Sequence, residues 1–133
     1  DRLPPVYEWL SEHPGPEPLL ELPVPARDGD ENGTHSMRQF YLIYHGHRRL
    51  DGSSGFVSRQ YRRFRSAIQS FPSEEAIRAA GELGAGFVVV HFQDYPLEER
   101  EPLRRAIAAE HRLTLKADFG SDAVYDLRFP VRR

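Results

Sequence analysis

Apolar residues first recur at helical spacing at Val6, Trp9 and Leu10, directly behind Pro4 and Pro5, and this i, i+3, i+4 pattern predicts a short amphipathic helix. His13-Pro14-Gly15-Pro16 stops it. "LLEL", Leu19 to Leu22, reads as a short strand that Pro23 and Pro25 bar from continuing. From Arg27 to Ser36 polar residues and glycines without periodicity predict a loop. "MRQFYLIYHGH", Met37 to His47, has aromatic and β-branched content that suits a strand and an unbroken apolar run that also fits a buried helix. Helix is the reading adopted, with "RRL" as a short strand running into a turn at Asp51-Gly52.

The second half is more regular. Tyr61, Phe64, Ile68 and Phe71 fall on one face of a helix from Ser58 to Phe71, with arginines on the other side. Ser73 is a natural N-cap for a further helix, since Glu74 and Glu75 suit the positive end of its dipole. Ile77, Ala80 and Leu83 form its inner face, and Gly84 or Gly86 ends it. "FVVVHF", Phe87 to Phe92, is apolar on both faces and predicts a central strand. Leu97 to Arg112 reads as a helix with Leu103, Ala106 and Ile107 inward and a Glu101–Arg105 pair outward. "LTLKADF" and "AVYDLRF" flank the turn-rich "GSD" and predict a terminal antiparallel hairpin. Strands alternating with helices and closed by a hairpin indicate one α/β domain over residues 1–133, a mixed β-sheet flanked by helices.

Composition narrows the function classes. At 133 residues, 39% hydrophobic and 29% charged, the chain can hold one continuous core. The net charge of −2 gives no global pull toward nucleic acid, so a nucleic-acid partner is not expected. The absence of cysteine excludes disulfides, thiolate metal sites and cysteine nucleophiles. The longest apolar run is far short of the roughly 20 residues of a membrane-spanning helix. The chain opens at Asp1 with no initiator methionine or signal-like segment, which suggests a piece excised from a larger protein or a processed product.

Candidate chemistry concentrates in "YHGHRRLDGSSGF", Tyr44 to Phe56. His45, His47 and Asp51, with His91, have metal-ligand side chains, but the spacing is generic, and hydrogen-bonded histidines near a turn are the better reading. No metal or cofactor is expected. Gly52 and Gly55, ahead of a helix carrying Arg59, Arg62, Arg63 and Arg65, place backbone amides and positive charge where a phosphate or lipid headgroup could be held. A glycine turn followed by the solvated face of an amphipathic helix is the better reading. Glu21 in the apolar "LLELP" requires a partner or a solvent-facing side, because an unpaired carboxylate is costly to bury. Asp94 and Tyr95 follow the central strand at the carboxyl end, where α/β ligands tend to bind. Ser53-Ser54 lacks an elbow motif or a diagnostic base, and no catalytic residue is assigned.

The order of "VYEWLSEHPGPEPLLELPVP", "RQFYLIYHGHRRLDGSSGFVSRQY", "FPSEEAIRAAGELGAGFVVVHFQDY" and "VYDLRF" resembles the C-terminal soluble region of bacterial polytopic membrane glycosyltransferases of the GT-C type, related to the dolichyl-phosphate-mannose mannosyltransferase-like proteins. The resemblance covers most of the chain. Its elements are Glu21-Leu22-Pro23, Tyr44-His45, Gly52, Ser54-Gly55-Phe56, Tyr61 and Val88 to His91. The chain departs from the pattern at Asp51, where the family-like residue is asparagine, at Ser53, often aromatic, and in lacking prolines before Tyr61. The resemblance implies a transferase that uses a lipid-phosphate-linked sugar and keeps its catalytic acid in a membrane portion. This chain would be its noncatalytic extracytoplasmic domain, partnered with that membrane portion and with the lipid-phosphate sugar or the acceptor. His45, His47, Asp51, Gly52, Ser54, Gly55, Arg59 and Tyr61 would form the substrate-binding set.

Two other function classes stay open. One is a freestanding small α/β enzyme on a phosphorylated substrate, using Asp51, the Gly52–Gly55 loop and His45 or His47. The other is a protein-interaction module using the 27–36 loop and the arginine helix.

Overall fold

In the computed structural model the described residues are 3–24 and 59–129, the side chains of 59–61 excepted. The expected loop at 27–36, helix at 37–47 and strand at 48–50 lie outside them, as do His45, His47 and the Asp51–Gly55 turn. Among the described residues, four helices, α1 (Pro5–Ser11), α2 (Arg59–Ile68), α3 (Glu74–Glu82) and α4 (Leu97–Ala108), accompany four strands, β1 (Leu20–Leu22), β2 (Phe87–His91), β3 (Leu113–Asp118) and β4 (Asp122–Leu127). The strands form an open mixed sheet in the order β1-β2-β4-β3. β1 lies parallel to β2, and β4 is antiparallel to both β2 and β3. The α/β class, the central place of β2 and the terminal hairpin all agree with the sequence.

Alternation along the strands divides the core between the two sheet faces. Leu20, Leu22, Val88, Val90, Ala123, Tyr125 and Leu127 face α2, α3 and α4 and pack on Phe64, Ile68, Ile77, Ala80 and Ile107. On the opposite face Leu19, Val89 and Val124 meet Val6, Tyr7 and Leu10 of α1. A helix of 7 residues is too short to persist alone in water, where about 12–15 residues are marginal. α1 therefore exists by docking, and full burial of Val6 and Leu10 contributes about 2 kcal/mol each.

Local signals account for the element ends. Ser73 caps α3 by accepting from the Ala76 amide at 3.1 Å. At its other end the amides of Gly84 and Ala85 donate to the carbonyls of Gly81 and Ala80, a Schellman closure in which Gly84 takes φ +82°. The hairpin turns through Phe119–Ser121 with Gly120 at φ +86°.

Several sequence expectations are corrected. α4 stops at Ala108 rather than Arg112, because the chain turns through Glu110 to enter β3, and Arg112 bonds Glu110 instead of continuing the helix. Ala106 is exposed; the inward stripe of α4 is the narrower pair Leu103 and Ile107. Arg65 is buried rather than on the solvated face of α2, as a long apolar stem permits. On α1 Tyr7 joins Val6 and Leu10 in the buried set, and half-buried Trp9 packs against the same cluster and stacks on His13 with ring centroids 3.8 Å apart.

Candidate functional site

Strand register brings three ionisable residues to one end of the α1 face. Glu21 pairs with Val89, and His91 pairs with Asp122. Since Val89 and His91 are two residues apart on β2, Glu21, His91 and Asp122 all point to the same side. They sit at the carboxyl ends of the parallel strands, under the first turn of α1. There His91 Nδ1 lies 2.8 Å from Asp122 Oδ1, and Nε2 lies 3.2 Å from Glu21 Oε2. From α1 the Tyr7 hydroxyl donates to the same Glu21 oxygen at 2.5 Å. Its 3.5 Å approach to His91 Nε2 is contact rather than a second strong bond, because the hydroxyl proton is already directed at the carboxylate.

The side chains of Glu21, His91 and Asp122 are only 1%, 5% and 12% exposed. Groups this deeply buried cost several kcal/mol each unless paired, so the network is what allows Glu21 to occupy an apolar strand. Imidazolium donates at both nitrogens, whereas the neutral ring donates at one. With a carboxylate at each nitrogen, the ring is oriented on both sides and presents neither nitrogen outward. The arrangement suits a rigid joint between α1, β1, β2 and β4 rather than a base that meets a substrate.

A second polar cluster ties α3 to the start of β3. Arg112 donates to Glu110 at 2.7 Å and to Glu74 at 2.8 Å. These bonds, and then the guanidinium charge, hold both carboxyls below the usual carboxylate range and push Arg112 up. Burial raises the Tyr125 phenol.

Of the residues singled out in the sequence, Arg59 begins α2 and Tyr61 lies within it, while His45, His47, Asp51, Gly52, Ser54 and Gly55 fall outside the described residues. Asp94 ends a 3₁₀ turn, Phe92–Asp94, just past β2. His91 belongs to the buried network. Among the described residues no three His, Asp or Glu side chains are grouped to hold a metal ion, and no helix is long and apolar enough to cross a membrane. Tyr7 and Asp122 were missed from the sequence. Asp122 reads there as a turn residue of "GSD", and only the β2–β4 register places it opposite His91.

No protein-family profile matches the chain, and neither a curated protein nor a solved structure is significantly similar to it.

Proposed function

We propose that this chain is the noncatalytic extracytoplasmic C-terminal domain of a polytopic membrane glycosyltransferase that uses a lipid-phosphate-linked sugar. The observation that supports it is the contact between Glu21 and His91 at 3.2 Å. These two residues belong to separate elements of the resemblance, Glu21-Leu22-Pro23 and Val88 to His91, 70 positions apart in the chain. A buried polar contact that joins the two elements is what a shared fold would use to hold them together. It also explains why the polar residues of both elements would be kept.

On this reading the membrane portion precedes α1, and the network clamps α1 to the sheet, fixing how the domain is held. The 45–61 stretch follows β1 in the chain and would assist recognition of the donor or the acceptor. Catalysis stays in the membrane portion, in keeping with a network that is closed to a substrate.

The test begins with the complete reading frame. Several stretches of about 20 apolar residues ending before Asp1 are expected, and the full-length protein in membranes should transfer sugar while the isolated chain does not. A start codon a few residues upstream of Asp1, or turnover by the isolated chain, overturns the proposal.

A further inference from the structure

At the opposite end of the sheet from the buried network, a groove of about 310 Å³ is lined by Glu17, Gly84, Phe87, Asp126, Arg128 and Phe129, among others. Two of its walls depend on glycine. A Cβ on Gly81 would lie 2.2 Å from Cγ of Phe129, and one on Gly86 would lie 2.7 Å from Cβ of Glu17. The Phe129 ring and the Glu17 stem therefore rest directly on backbone that no side chain could share. Gly84, at φ +82°, has nothing within 4 Å of where its Cβ would be, so this part of the lining faces open space.

The lining narrows the ligand class. Half-buried Phe129 supplies apolar ring surface, while Glu17 makes no hydrogen bond or ion pair with a described residue and is exposed. Among the described residues Asp126 accepts only from Arg128, at 3.2 Å, which leaves acceptor capacity on the carboxylate and donors on the guanidinium. Two carboxylates disfavour an anion, and the polar rim disfavours a purely apolar guest. An aromatic face flanked by carboxylates and a guanidinium suits a neutral polyhydroxylated ring, whose C–H face covers the aromatic ring while its hydroxyls donate to the carboxylates. The volume falls at the small end of ligand pockets, about 300–1,000 Å³, and fits one such ring.

We infer that this groove is a binding site for a single pyranose sugar. The inference stands on the groove alone and does not require the membrane assignment.

The test is titration of the isotope-labelled 133-residue chain with methyl glucoside, methyl mannoside and methyl galactoside, followed by amide shifts in NMR. Saturable shifts confined to Gly84, Gly86, Phe87 and Phe129 are expected with at least one sugar. Glu17→Ala combined with Asp126→Asn should weaken that binding by about tenfold or more, corresponding to at least about 1.4 kcal/mol, with the remaining spectrum unchanged. No saturable shift with any of the three sugars overturns the inference. So does undiminished binding by the double variant, or saturation of the same amides by inorganic phosphate in place of sugar.

Discussion

The hydroxyl of Tyr7 on α1 donates to the carboxylate of Glu21 on β1 at 2.5 Å, joining two residues 14 positions apart inside the core. Through it the first helix touches the ionic network as well as the apolar face of the sheet. A charge-assisted bond of this kind is among the stronger side-chain interactions.

Removing the hydroxyl tests how much that bond contributes. Tyr7→Phe keeps the ring packing and takes one donor from a buried carboxylate, at an expected cost of about 2 kcal/mol. In a Glu21→Gln background the same change should cost less, with a coupling energy of about 1 kcal/mol or more in a urea-unfolding double-mutant cycle. Additivity of the two changes would show that the hydroxyl does not act through the carboxylate.

His91 carries a larger share, because it faces carboxylates at both ring nitrogens. His91→Ala takes the ring from between the buried carboxyls of Glu21 and Asp122 and opens a cavity, for an expected loss of about 3–5 kcal/mol. If stranded charge is the cause, replacing Glu21, His91 and Asp122 together by apolar residues should recover much of the loss. A triple variant no more stable than His91→Ala would assign the cost to packing instead. Denaturant midpoints with unchanged slopes are the readout.

The fold was legible where periodicity and end signals agreed. β2 read as central because Val88, Val89 and Val90 are apolar on both faces, and α3 read correctly because Ser73 and Gly84 mark its ends. The network was legible only in part. Glu21 announced itself as a charge in an apolar strand, but its partners depend on strand order, and β4 enters between β2 and β3 although it comes last among the described strands. Asp122 and Tyr7 looked like a turn residue and a neutral helix position, since local sequence carries no trace of a register set 31 residues away. Arg65 and Ala106 were misplaced for a related reason: helical spacing defines a face, while the neighbouring helices decide how wide a strip of it is covered.

Arg112 gives the protein an acid-sensitive clasp between α3 and β3. Its guanidinium depresses the carboxyls of Glu74 and Glu110 below their ordinary value of 4.5. A depressed carboxyl contributes stability that is present above the unfolded value and lost as pH falls through the lower folded one. The advantage of the native chain over Arg112→Ala in thermal midpoint should therefore be constant near neutrality and shrink below about pH 4.5. Because Glu74 is exposed, added salt should also reduce it. A midpoint difference that stays level through acid would mean that Arg112 acts by packing alone.

Gly81 lies inside α3 against the ring of Phe129, and the sign of its replacement depends on that ring. Alanine in a helix interior is ordinarily worth about 1 kcal/mol over glycine. Here the new methyl would meet Cγ, Cδ2 and Cβ of Phe129 at 2.2, 2.4 and 2.6 Å, so the whole side chain must leave its seat, and Gly81→Ala should destabilise. With Phe129→Gly already present, which removes the Cβ as well as the ring, the obstruction is gone, and adding Gly81→Ala should then stabilise by about 1 kcal/mol. Thermal unfolding of the two single variants and the double variant reads this reversal. If Gly81→Ala stabilises the native chain as well, Phe129 does not occupy that seat, and the wall of the groove it builds is not there.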